Sequence, residues 1–554
     1  MMSLAMRQSP ISLGYTRRHN ICMPSAQAQT YTAESVARMS PAAIARTLRE
    51  LVEALAEKDR QLAWFKRQVF GSKSERLQPV ADAQQLNLGE IVGELPVPPQ
   101  APKAGREVAG HTRRAPARDC AGDADVGSFF DPAQVEVQVI NVPCPEAQGL
   151  RAQEYEVIGE KVSYRLAQRP GAYVALKYVR PVIKLRSTGT LHCAPAPASV
   201  FDGSRADVSV LAGMAVDKFR YHLPLYRLHQ RLLDAGFKLS RPWLTQCMQK
   251  VAEVLAPIVE AQLASILGGH VITMDETPIK AGRAAAGRMK ATYFWPVYGE
   301  NDEVCFPHFA SRRHEHVREV LGQLGSDTVL LSDGYAAYAC YAMQTGVTHA
   351  QCWAHARRMF FEAQDAEPQA AAEALAHIGA LYRIEAEIRD AALVGAAKLA
   401  YRATHSRGRV EAFFAWVEQR FAQQGLLPKN PLTKALAYVR ERRRELSVFV
   451  GDAGVPIDTN HLERALRPIP MGRRNWLFCW SEVGARHVGI MQSLIATCVL
   501  QGVDPYTYLV DVLQRVGRHP AARVAELTPR LWKQHFGHAP LRSDLHVAAA
   551  LAPA

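Results

Sequence analysis

Val271-Ile-Thr-Met-Asp275 and Val329-Leu-Leu-Ser-Asp333 are short apolar runs that each stop on an aspartate. An uninterrupted apolar run of this length reads as a strand buried on both faces. Each of these two delivers a carboxylate to the edge of a sheet. A third acidic segment, Asp458-Thr-Asn-His-Leu-Glu463-Arg, puts a glutamate early in a helix, ahead of Arg464, Arg467, Arg473 and Arg474. Carboxylates beside such a basic run suit a site that holds divalent metal and receives nucleic-acid phosphate.

The residues around the two runs extend the pattern. Ala291–Tyr298 reads as a second strand, with Pro296 marking an edge or bulge, and Glu303–Phe309 as a third. Residues 312–324 read as a basic helix, Thr328–Ser332 as the fourth strand, 335–343 as a short helix and Val347–Gln351 as the fifth strand, with a helix from Trp353. The order β-β-β-α-β-α-β-α is that of an α/β core of ribonuclease-H-like type with a mixed sheet, assigned to 267–365. In such a core the first strand lies centrally and the fourth beside it, so Asp275 and Asp333 converge. Glu463 must then come from a helix packed on the same edge. Residues 366–455, Ala-rich and poor in strand formers, read as an all-α insertion. The catalytic helix and C-terminal helices occupy 456–516, and the Pro/Ala/Arg-rich stretch 517–554 reads as a partly disordered tail.

Toward the N-terminus, 205–266 is helical. Leu223–Leu233 is periodic, Gly236 suits a helix stop and Ser240-Arg-Pro242 the next start. This fits a helix-turn-helix DNA reader and equally a plain helical hairpin. Residues 119–204 alternate in the strand manner and form a small β-rich module. Residues 79–118 are a Pro-, Ala- and Gly-rich linker in which Arg113 and Arg114 are candidate phosphate contacts. Within 44–78, Leu48, Leu51, Leu55, Lys58, Leu62, Phe65 and Val69 follow 3,4 spacing broken only by Lys58. That is the seam of a coiled-coil helix, to be buried by self-association or against its own domain. Residues 1–43 read as a disordered leader, since no apolar core follows Arg17-Arg18.

The 554 residues carry a formal net charge of +13, which points toward polyanions. Ten cysteines without a Cys-x-x-Cys pair suggest a reducing compartment and no disulfide framework. No apolar run of membrane-spanning length is apparent, so no membrane partner is expected. Three oxygen-ligand side chains can hold two Mg²⁺ ions, with Mn²⁺ as an alternative, to activate an attacking water or 3′-hydroxyl. Cys120, Cys144 and Cys193 are too few and too far apart in sequence for a Cys₄ zinc site, so no structural zinc is expected. Cys352-Trp-Ala-His355 has the spacing of half a metal site or of a structural turn. Arg357, Arg358, Arg467, Arg473 and Arg474 are candidate DNA contacts, and Trp353 and Trp476 are candidate platforms for base stacking or, equally, core tryptophans.

Seven segments give the chain a more specific likeness. They are Arg67-Gln-Val-Phe-Gly-Ser-Lys-Ser-Glu-Arg76, Lys218-Phe-Arg-Tyr-His-Leu-Pro-Leu-Tyr-Arg227, Met274-Asp-Glu-Thr-Pro278, Ser332-Asp-Gly-Tyr-Ala-Ala-Tyr338, Cys352-Trp-Ala-His-Ala-Arg-Arg358, Asn460-His-Leu-Glu-Arg-Ala-Leu-Arg-Pro468 and Gly472-Arg-Arg-Asn-Trp-Leu-Phe478. Together they resemble the DDE-type transposases of the insertion-sequence-66 family. The resemblance implies metal-binding DDE roles for Asp275, Asp333 and Glu463, and strand cleavage and transfer at terminal inverted repeats. It further implies a bacterial, nucleoid-associated protein of the cytoplasm, DNA as partner, and small accessory proteins of the same element. A catalytically silent DNA-binding descendant is the alternative. Two features depart from the family: relatives carry a cysteine-rich zinc module where this chain has a degenerate one, and Thr459 stands where they more often show Asn.

Overall fold

The computed structural model describes residues 40–49, 52, 129–169, 171–201, 203–285, 288–423, 427–476, 479 and 481–546. The 79–118 linker with Arg113 and Arg114 lies outside them, as does most of the 44–78 seam. Residues 41–49 are helical, and Leu48 and Val52 are largely exposed, at 56% and 63%.

The β-rich module is a four-stranded sheet of β1 (Val137–Asn141), β2 (Tyr155–Arg169), β3 (Ala172–Leu185) and β4 (Leu191–Cys193). Its order is β1-β3-β2, with β4 also on β3. β2 and β3 form a long antiparallel hairpin that turns at Gly171, where φ is +81° and a side chain would be strained. Cys144 donates its thiol to Glu146 Oε2 at 3.0 Å, and Glu146 Oε1 lies 3.6 Å from His192 Nδ1. Among the described residues, the one group of three or more His, Cys, Asp or Glu ligand atoms lying within 4.8 Å of one another is elsewhere, at Asp275. Metal analysis of the purified chain is therefore expected to find well under one zinc per molecule. A stoichiometric zinc lost in Cys144→Ser would overturn that expectation.

The module does not stand alone. Leu166 exchanges backbone hydrogen bonds with Arg205 and Asp207, and Phe129, Phe130, Leu166 and Ala175 share a core with the helices that follow. These are α1 (Val208–Phe219), α2 (Leu225–Asp234) and α3 (Arg241–Leu267). Asp207 caps α1 by accepting from Ser209 N, and Gly236, at φ +86°, makes the short turn between α2 and α3. α3 buries Leu244, Met248, Val251, Leu255 and Ile258, while Arg241, Thr245, Gln246, Gln249 and Lys250 stay exposed.

A five-stranded sheet follows: β5 (Val271–Met274), β8 (Val297–Gly299), β9 (Glu303–Cys305), β11 (Val329–Ser332) and β12 (Thr348–Gln351). Its order is β12-β11-β5-β8-β9. β5, β11 and β12 are parallel, and β8 and β9 antiparallel to their neighbours. All four residues of β5 and of β11 are buried, as expected of strands covered on both faces.

Two expected strands are split. Ala291–Tyr298 divides into the end of β7 (Arg288–Phe294) and β8, and Glu303–Phe309 into β9 and β10 (His308–Phe309). β7 and β10 join β6 (Thr277–Ala285), a strand not anticipated, in a separate three-stranded sheet of order β10-β7-β6. Both breaks fall at an X-Pro step, Trp295-Pro296 and Phe306-Pro307. A proline has no N–H for the ladder, so the chain crosses between sheets there. Trp295 N donates to Pro307 O across the two crossings at 2.8 Å.

α4 (Glu315–Leu321), α5 (Ala336–Thr345) and α6 (Trp353–Glu362) alternate with the last two strands. Then come five consecutive helices: α7 (Pro368–Asp390), α8 (Gly395–His405), α9 (Arg407–Ala422), α10 (Pro431–Glu441) and α11 (Arg443–Gly451). Their core includes Phe413, Phe414, Leu436 and Phe449, and it is continuous with Trp353 and Phe360 of α6. The helical block is thus packed onto the sheet domain rather than tethered to it.

The chain returns through α12 (Asn460–Leu466) and α13 (Pro468–Trp476) to α14 (Glu482–Leu500) and α15 (Pro505–Arg515). Edge strand β9 is covered by side chains instead of another strand. Val304 N donates to Thr497 Oγ1 at 3.1 Å, Gln262 Nε2 to Val304 O at 2.9 Å, and Phe306 N to Ser493 Oγ at 2.9 Å. Gly489 permits this approach, since a Cβ there would meet Phe306 O at 2.3 Å. By length and composition α14 is apolar enough to cross a membrane, contrary to the reading above. It is a core helix, with Met491, Leu494 and Ile495 buried and Gln492 donating to Phe219 O.

Residues 517–546 of the stretch expected to be a partly disordered tail are packed, and 547–554 lie outside the described residues. α16 (Pro529–His535) buries Trp532, whose Nε1 donates to buried Asp511. Ser543 donates to Asp207, and Tyr178 of the β module donates to Asp544. Composition hid these contacts because a few long-range anchors hold an otherwise polar stretch.

Candidate active site

β5 and β11 are parallel neighbours, so the residues after their C-terminal ends lie side by side. Carboxylate oxygens of Asp275, Glu276 and Asp333 come within 4.8 Å of one another. Glu276, which sequence reasoning passed over, sits in the quoted Met274-Asp-Glu segment. Its side chain is 5% exposed, ion-paired with Arg312, and accepts from Tyr338 Oη at 2.7 Å. Asp333 accepts from Tyr335 N at 2.9 Å. Gly334 holds this turn against the helical block, since a Cβ there would meet the Tyr438 ring at 2.6 Å.

Burial pushes the Asp275 carboxyl up to about 7, and the charges of Glu276, Asp333 and Glu463 push the same way. A bond from Glu276 N at 2.7 Å offsets only part of this. Half-buried oxygen donors that converge and push one another's charge fit a hard divalent cation, which would favour the ionised form. Among the described residues the cluster is Asp275, Glu276 and Asp333; Glu463 lies outside it, though its charge reaches Asp275.

Glu463 is aimed by contacts at both ends of its segment. Trp353 N donates to Ile457 O, and the Thr459 N–H and hydroxyl both reach Cys352 Sγ at 3.3 Å. Thr459 is 1% exposed, so its departure from the family pattern is filled by this bond to Cys352. His461 Nε2 lies 3.0 Å from Thr273 Oγ1, tying α12 to the central strand. His355 Nε2 lies 3.9 Å from Glu463 Oε1. The Cys352–His355 segment is therefore a staple between α6 and α12. Its signal was present as Cys-x-x-His spacing, but the partners are distant in sequence.

The candidate DNA contacts separate. Arg357 and Arg358 are exposed on α6, Arg464 on α12 and Arg467 just after it. Arg473 donates to Pro278 O at 2.6 Å, three residues beyond Asp275. The side chains of Arg474 and Trp476 lie outside the described residues. Trp353 cannot stack on a base: it is fully buried, its Nε1 donates to Leu446 O at 2.8 Å, and its ring meets Phe413 at 5.2 Å.

Burial also pushes the imidazole of His349, on β12 behind Asp333, down from its ordinary 6.5 to about 4, with Arg442 adding to the effect. The unfolded chain then takes the proton first as pH falls. Stability is full above about pH 6.5 and declines toward pH 4, by on the order of 1–2 kcal/mol at pH 5. Melting curves of wild type and His349→Gln between pH 7 and 4.5 test this; equal slopes would remove His349 as a cause.

Three family profiles match the chain. The one described as "Transposase IS66 family" covers residues 203–487, "IS66 C-terminal element" covers 493–530, and "Transposase C of IS166 homeodomain" covers 59–121. Among similar proteins, the uncharacterized protein y4hP of Sinorhizobium fredii is 29% identical over 500 residues, spanning 85% of this chain and 87% of its own. Uncharacterized protein y4qI of the same organism is 28% identical over 507 residues, spanning 86% and 89%. The first profile takes in more than half of the chain, including both strand-end aspartates and Glu463, and on that ground the chain belongs to the IS66 transposase family.

Proposed function

We propose that this chain is an active DNA transposase that cuts phosphodiesters at the terminal inverted repeats of its element and joins the freed 3′-hydroxyl to target DNA. In this reading the five-stranded sheet is a ribonuclease-H-like core, supported by its central β5 and parallel β11 and β12. Asp275, Asp333 and Glu463 form the DDE triad. Two Mg²⁺ ions, or Mn²⁺, would activate the attacking oxygen and stabilise the leaving one. The chain's own part is to hold the carboxylates convergent, to exclude water around Asp275, and to present arginines to the backbone. The observation that carries the reading is the convergence of the half-buried Asp275 and Asp333 beyond the ends of parallel β5 and β11. A catalytically silent descendant would gain nothing from keeping these carboxylates against the cost of burial.

DNA is the partner, through the basic surface and the homeodomain-type element at 59–121. We place the protein in the bacterial cytoplasm at the nucleoid, with accessory proteins of the element as further partners. Self-association through the 44–78 helix is favoured by exposed Leu48 and Val52. The test is incubation of the full chain with duplexes carrying the flanking repeats of its gene. Mg²⁺ should give 3′-hydroxyl nicks and joined products, both lost with EDTA. Bound but uncut DNA in Mg²⁺ and Mn²⁺ would refute the catalytic reading.

A further inference from the structure

We propose that the cleft between α6 and α7 is a binding site for an unpaired nucleotide of the DNA end, next to the catalytic glutamate. The cleft has a volume of about 500 Å³ and is lined by Arg357, Arg358, Phe361, Gly379, Tyr382 and Asn460. The proposal rests on the transposase reading and adds a strand-separated substrate to it.

Three observations carry it. α6 turns Trp353, Ala356 and Phe360 into the core, so position 361 belongs to its solvent side, yet it holds a phenylalanine 55% exposed at the cleft. Arg357 and Arg358 stand one turn earlier on the same helix, both exposed, and neither guanidinium has an ion pair or hydrogen bond among the described residues. An aromatic face beside unpaired cations is the chemistry that holds a base and its phosphate without reading sequence. Third, Asn460 lines this cleft and begins α12, three residues before Glu463. It also lines a neighbouring cleft with Arg389, Lys398 and Arg464, so the basic surface continues past the site. Asp458, in that second cleft, is held by Asn460 Nδ2 at 2.6 Å. A nucleotide seated against Phe361 would leave its neighbour in the strand within reach of the triad.

Gly379 allows the site to be closed without removing a contact. A Cβ there would meet nothing nearer than Arg383 Nη1 at 3.9 Å, so a side chain can start from this position into the cleft, and Gly379→Leu is expected to fill it while favouring the helix. The probes are fluorescent duplexes of arbitrary sequence at low salt, one blunt and one with a short single-stranded thymidine extension. A further version carries 2-aminopurine in the extension. Wild type should bind the extended duplex roughly tenfold tighter than the blunt one, with a change in 2-aminopurine emission. Phe361→Ala and Gly379→Leu should each abolish that advantage and leave blunt-duplex affinity within about twofold. Equal binding of both duplexes by wild type, or variants that keep the advantage, would overturn the cleft assignment alone. Failure of wild type to bind either duplex would overturn the transposase reading and the cleft with it.

Discussion

Asp275→Asn is expected to lower Mg²⁺-dependent cleavage by on the order of 10³-fold or more, with DNA affinity within about twofold of wild type. The amide keeps the shape of the side chain but gives up an anionic ligand at the point where three other carboxylates press on it. The arginines on α6 and α12 are untouched, so the phosphate contacts persist. The metal-free variant should also melt at or above the wild-type temperature. A carboxyl pushed up to about 7 by burial is a stability cost that the neutral amide removes. Glu276→Gln is the control: Glu276 is already paired with Arg312 and Tyr338, so its loss should cost far less activity. Wild-type cleavage by Asp275→Asn would place the catalytic centre elsewhere. Equal losses in the two variants would make Glu276 a ligand.

The two aspartates were legible because each closes a four-residue strand buried on both faces, a local signal that needs no knowledge of partners. Their convergence followed once β5 and β11 were taken as parallel neighbours, and the register Val329 to Val271 has that form. Other features were not local. Pro296 reads as an edge or bulge and Glu303–Phe309 as one strand, but Trp295-Pro296 and Phe306-Pro307 are crossings between two sheets, visible only once β6 is there to pair. Trp353 reads as a basic-aromatic contact because Arg357 and Arg358 follow it. The helix turns the stripe 353, 356 and 360 inward, so the tryptophan faces Phe413 and Leu446 of the helical block while Arg357 and Arg358 fall on the solvent side of that stripe. The staple from Cys352 to Thr459 joins residues separated by the whole block, so no window along the chain contains both ends.

The helical block also governs the last and largest stability effect. Arg402 is completely buried on α8. Its Nε and Nη2 donate to the two carboxylate oxygens of Glu385 at 2.8 and 2.7 Å, and Nη1 donates to the carbonyls of Phe449, Asp452 and Val455. Those carbonyls belong to the end of α11 and to the turn that leads into Ile457 and Thr459, the segment stapled to Cys352. One guanidinium therefore ties α7 and α8 to the approach of Glu463. Arg402→Leu would leave Glu385 and three carbonyls without their donor, and removing one partner of such a buried pair costs about 3–5 kcal/mol. Thermal or urea unfolding should register that loss. Cleavage should fall as well under conditions where the variant remains folded, because the 452–459 turn loses its anchor. Glu385→Leu with Arg402→Leu should cost less than the two single changes added together, since neither charge is then stranded. An Arg402→Leu variant that unfolds and cleaves like wild type would show that the block merely adjoins the catalytic domain, and that Glu463 is positioned by the Cys352 staple and His461 alone.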